Sequence, residues 1–147
     1  MFKTAITISL ITLSTVVGAQ DFTAYDFDGS FDDATFGVEN AIIDHGLVID
    51  YISHVGEMLS RTQTDVGSDV TLYDNAQIFV FCSAVLSRKM MEADPTNIAF
   101  CPYGVFVADT DGAVTVGYRH YPDGAMQEVQ ALLDEIAREA VGEQDEI

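Results

Sequence analysis

Two strand-like runs joined by one tight turn constrain this chain more than any other feature. Residues 104–108 and 113–118 are rich in β-branched and aromatic side chains, and Asp109-Thr110-Asp111-Gly112 stands between them. Asp-Gly supplies the positive φ that a short hairpin turn needs. So short a connection joins only antiparallel neighbours, because a parallel pair requires a crossover of a dozen or more residues. A strictly alternating parallel architecture is therefore set aside. Three further runs read as strands: 22–27, with large residues alternating with small or polar ones, 47–52 and 78–81. The expected fold class is α+β: an antiparallel sheet of about five strands with helices packed on one face.

The helices are read from caps and stripes. Ser30 is placed as an N-cap, with Asp33 three residues on and Asp32 in the first turn. Ala34, Val38, Ala41 and Ile42 recur at helical spacing before Gly46, which gives a helix over 31–45. Gly37 inside it is expected to permit close packing against the sheet. Ser53 is expected to cap a short helix over 54–61, with Val55, Met58 and Leu59 on its apolar side. Residues 62–74 read as loop, 83–91 as a helical turn or two, and Asp94-Pro95-Thr96-Asn97 as punctuation. The last helix is expected over 125–141, where Met126, Val129, Leu133, Ile136 and Ala140 make one apolar stripe. Asp134 and Arg138 are spaced for an i,i+4 pair.

The first residues read as a targeting segment. Lys3 precedes an uncharged apolar and hydroxyl run, and Val17-Gly18-Ala19 fits a small-residue cleavage pattern. The run is too short to span a bilayer, which takes about 20 apolar residues. The expected organisation is a signal peptide over 1–19 cleaved near Ala19, an N-terminal strand segment over 20–29, one domain over 30–141 and an acidic tail over 142–147. The expected location is periplasmic or secreted, with no membrane attachment after cleavage. The 147 residues carry 24 acidic side chains against 6 lysines and arginines, a net charge of −18. Such a surface repels phosphate backbones, which excludes nucleic acid as a partner. It is read as a solvated surface, or alternatively as one that attracts cations or a basic partner.

The order of these pieces resembles a family known as domain of unknown function 302. The resemblance covers roughly residues 30–118. It rests on the Ser30-Phe31 helix start, His45-Gly46-Leu47 closing that helix into a strand, and Ile52-Ser53-His54. It continues with a strand ending in Phe81, Met91-Glu92-Ala93-Asp94-Pro95, Cys101-Pro102, and Asp111-Gly112-Ala113-Val114-Thr115-Val116 before Tyr118. The resemblance implies an α+β layout similar to the TATA-binding protein fold and a possible homodimer. It brings no catalytic residues. Cys82-Ser83-Ala84 stands where many members have Gly-Asn-Pro, so the cysteine pair looks like a subgroup feature.

Cys82 and Cys101 are the chain's two cysteines. If strands three and four are antiparallel neighbours, both fall at one edge of the sheet, close enough for a structural disulfide. One rival is a redox role, with Cys82 at a helix N-terminus. Another is a metal or haem site on the face shared by His54 and Met58, with His45, His120, Met90 and Met91 as further soft or borderline ligands for copper or haem iron. The absence of Cys-x-x-Cys-His excludes a c-type haem. Arg61, Arg88 and Arg119 are candidates for receiving an anion, or simply offset neighbouring acids. No hydrolase signature surrounds Ser83 or Ser87, and no catalytic constellation is visible. The expected function is a non-enzymatic binding or accessory module without a cofactor. The alternative is a redox or metal/haem-linked protein using Cys82, Cys101 and the His54/Met58 face.

Overall fold

The computed structural model describes residues 21–143; the signal segment read over 1–19 and the end of the acidic tail lie outside them. Five strands, β1 (Phe22–Phe27), β2 (Val48–Ser53), β3 (Asn75–Cys82), β4 (Tyr103–Thr110) and β5 (Ala113–Arg119), form one sheet in the order β1-β5-β4-β3-β2. Every neighbouring pair is antiparallel. The hairpin forms as its residues require: Thr110 pairs with Ala113, and Asp111 and Gly112 take φ of 53° and 80°. The segment before residue 30 is part of the same sheet, because β1 pairs with β5 along its whole length.

Four α-helices accompany the strands: α1 (Phe31–Asp44), α2 (Val55–Thr62), α3 (Ala84–Ala93) and α4 (Gln127–Ala140). A 3₁₀ helix, Pro95–Phe100, follows α3 where only punctuation was expected. Its start is set by Asp94, whose side chain accepts from the Thr96 N–H at 2.9 Å, with Pro95 in the first position. The Ser30 hydroxyl oxygen accepts from the Asp33 N–H at 3.1 Å and caps α1, as its sequence implies. Gly46, at φ 71°, closes α1 by donating to the Ile43 carbonyl, while Leu47 N–H donates to Ile42.

Helices α1 and α4 cover one face of the sheet. The stripe Val129, Leu133 and Ile136 is fully buried, as are Ala34, Val38 and Ile42 of α1. They meet Phe79, Phe81, Val105, Val107 and Val116 from the sheet in one core. Two local expectations need correction. Gly37 faces α4 rather than the sheet: a Cβ there would stand 2.7 Å from the Ala140 carbonyl oxygen. Ser53 does not cap α2, because it pairs with Ile78 as the last residue of β2. The N-cap is His54, which makes no side-chain cap bond. Among the described residues, no helix is long and apolar enough to cross a membrane.

Candidate functional site

The second face of the sheet is where the sequence candidates and the structure meet. Its residues follow from the register. Ser53, Ile78, Phe106, Gly117 and Ala24 form one cross-strand row, since each pairs with the next. In the adjoining row Tyr51 pairs with Val80, Val80 with Gly104, and Arg119 with Phe22. Tyr51 is 57% exposed and Phe22 42%.

Two glycines shape this surface. A Cβ on Gly117 would stand 2.5 Å from Phe106 Cζ and 2.3 Å from the Thr23 carbonyl oxygen, so the Phe106 ring lies down over bare backbone. Phe22 meets that ring edge-on at 6.1 Å between centroids. A Cβ on Gly104 would come within 3.2 Å of Ile78 Cγ2. Two open depressions result. One, about 560 Å³, is lined chiefly by Phe22, Ala24, Ile78, Phe106 and Ala108; the other, about 350 Å³, by Tyr51, Val80, Cys101, Pro102 and Gly104. They share Ile78, Phe106 and Arg119.

Among the described residues, Arg119 is the only charged side chain lining either depression. Its Nη2 donates to the Phe100 carbonyl at 3.0 Å, its Nε to the Tyr121 hydroxyl at 3.4 Å, and the guanidinium lies 5.2 Å from the Tyr121 ring centroid. Burial raises the Tyr121 pKa, so this partner is a neutral phenol at physiological pH. The other arginine candidates are placed differently. Arg88 pairs with Glu92 at 2.8 Å on exposed α3 and offsets a neighbouring acid. Arg61 lines a separate depression of about 400 Å³ with His54, Glu57 and Asp74.

The cysteines lie at the edge of the same face. Phe81 pairs with Tyr103, so Cys82 and Cys101 sit just beyond the last rung of the β3–β4 ladder, at the mouth of the excursion that holds α3. The structure holds both as half-buried thiols, with Cys101 near enough to Cys82 to raise its pKa. The Cys101 thiol also donates to Ser87 Oγ at 3.8 Å, and the Ser87 hydroxyl donates to the Tyr103 hydroxyl at 3.1 Å. Burial pushes the Cys82 thiol up, and the adjacent Cys101 adds to the rise; the Tyr103 backbone N–H only partly opposes them. Burial also pushes the Tyr103 phenol up to about 12. A thiol held above its ordinary range is a poor nucleophile at neutral pH.

The metal candidates do not converge. His54 starts α2, with Nδ1 3.8 Å from Glu57. Met58 is 40% exposed rather than core filling, with its Sδ 4.0 Å from Thr62 Oγ1, and Met90 is buried. His45 Nε2 contacts Glu139 at 3.2 Å and His120 Nε2 contacts Thr23 Oγ1 at 2.8 Å. His54 follows the Ser53–Ile78 pair, whereas Cys82 pairs with Val48 at the other end of β2. Roughly 16 Å of strand separates the two candidate groups. Among the described residues, no group of three or more His, Cys, Asp or Glu is placed to hold a metal.

A tyrosine pair escaped sequence reasoning. Asp134 Oδ1 of α4 accepts from Tyr25 at 2.5 Å and Tyr118 at 2.6 Å, tying β1 and β5 to the helix. Both phenols are shifted upward, by burial first and by Asp134 next. No local pattern announces this trio. The open face did leave a signal: residues 78–81 and 105–107 are apolar at every position rather than every second one.

No curated protein matches this chain. Among solved structures, it is similar to a crystal structure of an uncharacterised conserved DUF302 protein from Bacillus stearothermophilus, at 15% identity and a TM-score of 0.61. The match covers 86% of this chain and 98% of the other, and it bears on the fold. The profile of the domain of unknown function DUF302 matches residues 23–147, and the chain belongs to that family.

Proposed function

We propose that this protein is an exported, non-enzymatic binding or accessory module whose recognition surface is the open face of its sheet. One observation carries the reading. The helix-covered face is sealed, while the opposite face keeps Phe22, Tyr51, Ile78 and Phe106 around two adjoining depressions of about 350 and 560 Å³. Depressions of this size and apolar character suit small ligands, and a contiguous apolar patch on an exported chain is a binding surface in want of an occupant. Nile red, a neutral polarity-sensitive dye, tests this. The folded chain binds it saturably with blue-shifted emission, and Ile78→Asp abolishes the signal while leaving near-ultraviolet circular dichroism unchanged. No saturable binding, or equal binding by Ile78→Asp, overturns the reading.

In the same proposal Cys82 and Cys101 become a structural bridge at the rim of that face. Their placement just beyond the last rung of the β3–β4 ladder, at the mouth of the excursion, supports it. The two thiols lose two protons and two electrons to a disulfide oxidant of the exported compartment, forming one S–S bond and two reduced thiols on the oxidant. The upward shift of Cys82 favours a structural over a catalytic pair. Intact mass of exported protein shows a two-hydrogen deficit that reductant removes. Cys82→Ser lowers stability by roughly 3 kcal/mol and leaves Nile red binding intact. Free thiols in protein exported into an oxidising medium overturn the bridge.

A further inference from the structure

We infer that the open face takes a small amphiphilic anion, with an acyl or aryl body in the larger depression and a carboxylate-like head on Arg119. The inference rests on the binding reading above and adds the ligand's charge and class.

The charge distribution points this way. The chain carries 24 acidic side chains, yet none of those among the described residues lines either depression. Arg119 lines both. Lys89 and Arg88 pair with glutamates within 4 Å, and Arg138 reaches Glu143 at 3.7 Å. Arg119 has no carboxylate partner among the described residues. A guanidinium carries five N–H donors; two of those on Arg119 go to the Phe100 carbonyl and the Tyr121 hydroxyl. These neutral contacts fix its plane and leave donors for a planar anion. The long-range field of the acidic surface does not forbid this, because charges beyond about 8 Å are screened at physiological ionic strength.

The same distribution disfavours a second copy as the occupant. An isologous dimer presents the same patch twice. Among the described residues, two copies of this patch bring two arginines and no carboxylate into one apolar interface, and an unpaired charge buried there is costly. A ligand carrying its own anion supplies the missing partner, and the Phe22–Phe106 wall receives its apolar body.

Decanoate and decyltrimethylammonium, each below its micellar concentration, and decanol below its solubility limit separate the contributions by calorimetric titration of the exported chain. Decanoate binds at least about tenfold more tightly than decanol, as a charge-assisted hydrogen bond supplies, and decyltrimethylammonium binds most weakly. Arg119→Gln brings decanoate to within about threefold of decanol and leaves decanol unchanged, whereas Arg119→Lys keeps part of the preference. Added salt shrinks the preference. Equal affinity for decanoate and decanol, or a preference that survives Arg119→Gln, overturns the anion while Nile red binding keeps the face. Failure of all three probes together with Nile red removes both. A concentration-dependent dimer in sedimentation that Ile78→Asp dissociates makes a second copy the occupant and overturns the inference.

Discussion

Ile78 and Phe79 are neighbours in β3, and they mark the difference between the two faces of the sheet. Phe79 is 1% exposed beneath the helices, and around it Phe81, Val105, Val107 and Val116 are equally closed. Ile78 turns the other way, into a surface bounded by two half-exposed aromatic residues, Phe22 and Tyr51. Both faces draw on the same strands and much the same residue types. What separates them is the partner: α1 and α4 supply Val38, Ile42, Val129, Leu133 and Ile136 to one face, while the depressions of the other are lined mainly by strand residues, with Val55, Tyr73 and Ala99 at their margins. Stability is therefore concentrated on the covered face, and the open face is the one on which the binding proposal rests.

The largest effect that would break this contrast comes from the covered face. Phe81→Ala is expected to cost about 3–5 kcal/mol in urea unfolding, through lost transfer energy and a residual cavity. A loss below about 1 kcal/mol would mean that the core is not where stability resides. Next comes the tie between α4 and the β1 edge. Asp134→Ala leaves the Tyr25 and Tyr118 hydroxyls without their acceptor and should cost about 1.5–3 kcal/mol. Asp134→Asn, which keeps an oxygen in place, should cost less. Gly117→Ala joins the two faces in one test: its Cβ meets a backbone oxygen of β1 and the Phe106 ring. A loss of about 1–3 kcal/mol is expected, along with weakened Nile red binding as Phe106 is displaced.

The pH dependence follows from the phenols. Tyr25, Tyr103, Tyr118 and Tyr121 are all raised above the ordinary value of 10.0, with burial the leading cause in each. A raised folded pKa means that above this value the unfolded chain releases protons which the native chain retains. Their contribution to stability is fully present below pH 10 and is lost as pH rises toward the folded values, about 12 for Tyr103. The urea midpoint should fall across that window, and less steeply in Tyr25→Phe. The smallest effect belongs to the open face. Tyr51→Ser should change stability by no more than about 0.5 kcal/mol while weakening dye binding. A larger loss of stability would show that the open face also holds the fold together.

Much of this was legible in the residues, and the reasons are local. The Asp111-Gly112 turn, the Ser30 cap, the Gly46 stop and the α4 stripe each depend on a few consecutive side chains acting on nearby backbone. The errors also have local causes. Ser53 has the chemistry of a cap, but the ladder to Ile78 claims it as a strand end. Met58 lies on the apolar side of α2, yet the short helix buries little of that side. Gly37 signals a close approach, but not which element approaches.

The candidate site was less legible, because each of its parts depends on residues distant in sequence. The sequence alone determined the α+β class, the antiparallel hairpin, the ends of α1 and the resemblance to DUF302, all written in short-range spacing. Only the tertiary structure decided that β1 closes the sheet beside β5 and brings Phe22 opposite Arg119. It also gave Asp134 two tyrosines from separate strands, whereas the meeting of Cys82 and Cys101 at one sheet edge was already expected from the strand order. Strand order and side-chain juxtaposition are settled by which surfaces bury best across the whole chain, and no local pattern encodes that competition.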